Sequence, residues 1–249
     1  MKLFLDDKRY IDSKQPLDIS LGLSNTEDNP RAWYVAQPTF EPVRTEHYTG
    51  SVAEGGSVNF RDIFFNPHGH GTHTECLGHI TKEVFSINDT MSEYFFEAQV
   101  ISVKPTHRMN GVDEDRVITL EQVKSFDINK EALVLRTLPN STEKKSVNYS
   151  DTNPVYLEME IASYLIERGV KHFLLDLPSV DRESDDGELA FHHAFWEVPE
   201  NPNHERTITE LIFVPDEVSD GEYILNLQVA PFENDAAPSR PVLFKIQAK

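Results

Sequence analysis

Apolar residues fall in short runs along this chain, broken by polar residues, glycine and proline. Ala98–Lys104 (AQVISVK) is rich in β-branched residues and predicts a strand. Ala132–Leu135 and Phe173–Leu175 are unbroken apolar runs with polar neighbours, the pattern of strands buried on both faces. Between them, Leu157, Ile161, Tyr164 and Leu165 recur at helical spacing and predict a helix over 155–168. Asn153 is its expected cap, Pro154 suits its first turn and Gly169 its stop. Strand, helix and strand in that order predict a βαβ unit. Leu120–Ser125 reads as a short helix. In the last third, Leu211–Val214, Tyr223–Val229 and Val242–Ile246 read as strands.

The first fifty residues are more broken. Pro16, Pro30, Pro38 and Pro42 interrupt 15–50, leaving a short strand at Asp18–Leu23 and extended segments at Trp33–Ala36 and Phe40–Val43. Gly55-Gly56 predicts a turn and 57–65 a strand leading into a histidine-rich segment. No repeat or Gly/Ser linker divides the chain, so a single domain over 1–249 is expected. It mixes α and β, with most strands antiparallel.

Charge removes several function classes. Against 23 Lys and Arg stand 42 Asp and Glu, a formal charge of −19. Nucleic-acid binding rests on neutralising phosphates, and anionic lipid surfaces demand the same basic residues, so neither partner is expected. No apolar stretch approaches the ~20 residues that cross a bilayer. The run before Asp6 is too short for a signal peptide, and a cytoplasmic protein is expected. One cysteine, Cys76, excludes an internal disulfide. Its histidine neighbours make a nucleophile conceivable, but a small buried residue is the stronger reading. P-loop, GxGxxG and GxSxG motifs are absent.

Four of ten histidines lie within NPHGHGTHTECLGHI: His68, His70, His73 and His79, with Glu75 among them. In an extended segment His73 and Glu75 share a face, and His79 joins them if the strand continues. His68 and His70 share the other parity and need a bend, which Gly69 and Gly71 make cheap. Imidazoles with a carboxylate suit Zn²⁺, Mn²⁺ or Fe²⁺. Asp176, Ser179 and Asp181 follow the strand 173–175, at the strand end where ligands commonly bind. His192, His193 and Glu210 could complete a metal site.

The segment Gly71–His79 resembles the HxGTHxDxPxH signature of the cyclase family, the metal-dependent hydrolases that include bacterial kynurenine formamidase and isatin hydrolase. Asp18-Ile19-Ser20, Leu133–Thr137, Glu167–Val170, Leu177–Asp181 and Thr209-Glu210-Leu211 resemble further family segments. The resemblance implies an α+β fold, a swivelling β/α domain with a largely antiparallel, barrel-like sheet. It implies one or two divalent metals per chain, zinc or manganese, activating water to cleave an amide, formamide or cyclic amide of a small molecule. A homodimer or homotetramer is also implied. His73, Glu75, His192 (with His193 the runner-up) and Glu210 match metal ligands, and His79 matches the proton-transfer histidine. The family's first histidine falls on Gly69, so either His68 or His70 takes its place or a ligand is lost. Glu75 stands where the family has Asp, adding about 1.5 Å of reach. Leu77 replaces the signature proline, and the His192-to-Glu210 segment is longer than expected. These departures leave a rival reading: a catalytically lapsed member that binds a metal or small molecule. A metal-free lyase or isomerase is a lesser alternative.

Overall fold

Ala132–Thr137 and His172–Leu175 are buried along their whole length. Their side chains sort by parity, as the two-residue period of a strand requires. Leu133, Leu135, Phe173 and Leu175 pack with Ile161, Leu165, Phe191, Phe195 and Trp196 from two helices. Ala132, Val134 and Leu174 pack on the opposite face with Ile87, Val214 and Leu225. Each fully buried aromatic of the helical layer contributes roughly 1.5–3 kcal/mol through burial. The computed structural model describes residues 1–111 and 113–249.

These two strands pair in parallel, linked by the helix Glu160–Glu167 as a βαβ unit. Phe95–Val103 and Thr207–Glu210 extend the parallel set on either side. Antiparallel strands complete the sheet. His73–Glu75 and Ala236–Pro238 add to the Thr207–Glu210 side, and Gly221–Asn226, Val242–Lys245 and Leu17–Asp18 to the other. The nine strands curl into a half-barrel of mixed α+β class, as expected. The antiparallel pairings lie at the flanks, while the centre is parallel because helical crossovers reverse the chain there.

Several local expectations change. The helix begins at Glu160, not 155. Asn153 does not cap it: its amide donates to Asp115, its φ is 46°, and Tyr156–Leu157 forms a short strand beside Val117–Ile118. Gly169, with φ of 79°, does stop the helix. Trp33 and Tyr34 occupy left-handed φ values of 58° and 59°, so Trp33–Ala36 turns and is not extended. Near Glu210, the strand is Thr207–Glu210 and the apolar run Leu211–Val214 lies beyond it.

The parallel strands all end on one side, which brings Thr137, Asp176 and Glu210 to the same edge. There the antiparallel register sets His73 opposite Glu210 and Glu75 opposite Ile208. His73, Glu75 and Glu210 therefore share one face. A two-stranded ribbon, Thr39–Pro42 with Arg61–Phe64, leads into the histidine segment and leaves Ile63 and Phe64 exposed. Among the described residues, no helix is long and apolar enough to cross a membrane.

Candidate metal centre

Glu75 is fully buried at the end of its strand, and four imidazoles gather around it. His192 Nε2 lies 3.1 Å from Glu75 Oε1, and His68 Nδ1 lies 3.1 Å from Oε2. His79 Nε2 is 3.9 Å from Oε2. His73 Nε2 faces Glu210 Oε2 at 3.4 Å. The ring centroids of His68 and His79 stack at 4.3 Å, and those of His68 and His73 are 5.2 Å apart.

Most of these rings are backed by an oxygen on the side away from Glu75. His73 Nδ1 donates to the Gly71 carbonyl at 2.9 Å. His192 Nδ1 donates to Asp181 at 2.6 Å, and Asp181 also accepts from the Phe191 and His192 amides at the start of the helix Ala190–Trp196. His68 Nε2 donates to Asp235 at 2.8 Å. His79 Nδ1 lies 3.4 Å from the same Asp235 oxygen. A backing oxygen holds the ring proton on the outer nitrogen and leaves the inner one to act as a ligand.

Two buried atoms at the centre, His73 Nε2 and Glu75 Oε2, have no hydrogen-bond partner. His68 Nδ1 is close to Oε2 but out of hydrogen-bonding alignment. Unsatisfied buried polar atoms cost about 1–3 kcal/mol each, and a cation between them satisfies both. The donors form two groups, each within 4.8 Å: His73, Glu75 and Glu210, and His68, Glu75 and His79. Glu75 belongs to both. Imidazole nitrogens with carboxylate oxygens in this number fit a divalent metal.

The electrostatics agree. Burial opposes ionisation of Glu75, but the charge of His79 and contacts from His192 and His68 outweigh it and hold the carboxyl well below its ordinary range. For Glu210, burial and the Glu75 charge both push the carboxyl up. Burial would lower His68 and His192. Instead Asp235 and Glu75 push His68 up to about 10, and Asp181 and Glu75 do the same for His192. The carboxylates demand positive charge here, which ring protons supply and a divalent cation can supply by displacing them.

The choice between His68 and His70 turns on local geometry. Pro67–His70 is one helical turn, capped by the Asn66 side chain, which accepts from Gly69 N–H. Residues two apart in a helix point about 200° apart, so His68 and His70 face opposite ways, unlike in a strand. His68 turns to Glu75. His70 turns away: its Nδ1 accepts from Asn66 N–H at 2.7 Å and its Nε2 donates to Ala36 O at 2.6 Å. Both ring nitrogens are committed to backbone, and His70 joins neither donor group. At position 69, a Cβ would meet Val35 Cγ2 at 2.7 Å, so the 32–35 loop occupies the space a side chain there would need.

Other candidates settle elsewhere. His193 Nδ1 meets the Val198 carbonyl at 3.1 Å, outside the cluster. Asp176 accepts from Thr137 N–H and from Lys144 Nζ at 2.8 Å, pinning the next strand end. Cys76 is buried core, and burial pushes its thiol up, away from nucleophilic reactivity. Asp235 was not singled out in the sequence. It is one of 42 acidic residues and lies 167 positions from His68, and no spacing pattern marks it.

The Cyclase family model matches residues 17–182. Kynurenine formamidase from Bacillus cereus is 32% identical over 229 residues, covering 91% of this chain and 96% of that protein. The Bacillus anthracis enzyme of the same name is 33% identical over 195 residues, covering 78% and 83%. Among solved structures, a protein described as a potential metal-dependent hydrolase with cyclase activity superimposes with a TM-score of 0.65 at 16% identity, covering 92% and 97%. Isatin hydrolase A from Labrenzia aggregata gives 0.65 at 14%, covering 92% and 93%. At such identities the structural likeness speaks for the fold; the sequence matches carry the assignment. This chain belongs to the cyclase family of hydrolytic enzymes.

Proposed function

We propose that this enzyme uses a divalent metal, zinc or manganese, to hydrolyse the amide of an N-formyl arylamine or a related cyclic amide. The observation that carries this reading is the convergence of four imidazoles on one buried Glu75, with His73 Nε2 and Glu75 Oε2 unpartnered between them. His73, Glu75, His192 and Glu210 are the ligands, and His68 supplies the donor that position 69 lacks. Membership of Glu75 in both donor groups favours room for two ions.

A bound divalent ion at this place lowers the pKa of water toward neutrality and polarises a carbonyl. The chain's residues do the rest. His79, partly exposed at the open side of the cluster, would take a proton at Nε2 from the attacking water and give it to the amide nitrogen as the amine departs. Asp181 keeps His192 from turning. Glu75 and His73 are fully buried, and the low local dielectric strengthens each charge interaction there. Phe65 and Phe232, with rings 6.2 Å apart, precede His68 and Asp235 by three residues each and offer apolar surface for an aryl group. The aryl substrate class draws on the relatives' names, kynurenine formamidase and isatin hydrolase.

The lapsed-member reading would gain if neither His68 nor His70 reached the cluster, and the position of His68 counts against it. The test is turnover of N-formylkynurenine and of isatin by protein loaded with zinc or manganese. Turnover that a chelator removes and metal restores is expected. No turnover of either compound by fully loaded protein would favour the lapsed member. The ribbon 39–64 supports the homo-oligomer reading: a two-stranded ribbon is marginal alone, and Phe60, Ile63 and Phe64 are more than half exposed. Light scattering on the purified chain tests this, and a monomer would count against it.

A further inference from the structure

We infer that Asp235 is a positioning residue of this site: it holds His68 in the ligand position that Gly69 vacates and holds His79 to its proton-transfer geometry. The inference rests on the metal-dependent reading above. One carboxylate oxygen, Asp235 Oδ2, meets both rings, His68 Nε2 at 2.8 Å and His79 Nδ1 at 3.4 Å. Both contacts lie on the ring nitrogens facing away from Glu75. The opposite nitrogens, His68 Nδ1 and His79 Nε2, are the ones aimed at Glu75 Oε2.

His68 needs such a brace. It sits on a single helical turn, which has little intrinsic stability. His192 has its own Asp181, buried and tied to a helix start, and His73 is braced by the nearby Gly71 carbonyl. Only Asp235 does this for the outer pair among the described residues. Its own placement is firm. The Asp235 carbonyl accepts from Cys76 N–H at 3.0 Å, and the chain then enters the strand Ala236–Pro238, in which Ala236 lies opposite Glu75. The edge strand thus carries a carboxylate to the open side of the cluster, where the histidine signature itself supplies none.

The experiment is a titration of the metal-free full chain with Co²⁺, followed by visible absorption, for the wild type, Asp235→Asn, His68→Gln and the double variant. Asn is isosteric and leaves the main-chain bond to Cys76 intact, so the fold is preserved. We expect Asp235→Asn to weaken Co²⁺ binding 10–100-fold, as loss of a partner behind a ligand histidine does, and to shift the absorption bands. We expect no further loss on adding it to His68→Gln, because the carboxylate acts through that ring. Asp235→Glu should restore part of the affinity. Unchanged affinity and spectrum in Asp235→Asn, or losses that simply add in the double variant, would overturn the inference while leaving the metal reading intact. Failure of the wild type to bind Co²⁺ would overturn the metal reading and this inference with it.

Discussion

Two ends of the same parallel strands each bury a histidine, and the two behave in opposite ways. His172 opens its strand at one end, its ring 4.0 Å from that of Phe96 and its Nδ1 2.9 Å from Thr207 Oγ1. Burial, aided by the Lys171 charge, pushes it down to about 4. At the other end, His192 is as deeply buried yet is pushed up to about 10 by Asp181 and Glu75. Desolvation alone favours the neutral ring, so the sign is reversed only where carboxylates have been assembled around it. Such an assembly disfavours folding unless each charge is paired or a cation is held. The difference marks the carboxylate-rich end as a built site and the His172 end as ordinary core.

Breaking that contrast takes a change at the shared carboxylate first. Glu75→Gln removes the charge common to both donor groups, and metal affinity should fall more than about 100-fold, beyond what loss of an indirect partner costs. Competition with a chromophoric chelator measures it. His79→Ala should lower turnover by roughly 10²–10⁴ while metal content holds, which steady-state rates and elemental analysis check together. Loss of the metal in that variant would make His79 a ligand. Asp181→Asn should weaken metal binding about 10–100-fold by releasing His192. At the opposite end the effect is on stability. Unfolded His172 takes a proton near 6.5 and folded His172 only near 4, so the unfolded state binds more protons between those values. Stability should therefore fall as pH drops from 6.5 toward 4, by up to about 3 kcal/mol from this group. His172→Gln should flatten that part of a pH–stability curve obtained by urea unfolding. His70→Ala should cost about 1–3 kcal/mol, read as a lower melting temperature, with metal binding unchanged.

The sequence made the cluster legible where local period or spacing carried it. His73 and Glu75 share a strand face by parity, and Glu210 meets them because its strand pairs alongside. The buried strands read correctly because their apolar runs reflect burial on two faces. What failed depended on distant partners or on a local turn within the histidine segment. The helix lost its first turn because Asp115 captures Asn153 and Val117 pairs with Tyr156. His70 looked equivalent to His68 under strand geometry, but a helical turn separates them. Asp235 had no signal, since the fold alone brings it back to the histidines.

The most direct measurement is the metal content of the chain purified without a histidine tag or chelator, by elemental analysis. One to two equivalents of zinc or manganese per chain are expected, lost on Glu75→Gln. Metal well below one equivalent, with none taken up when zinc or manganese is added back, would contradict it.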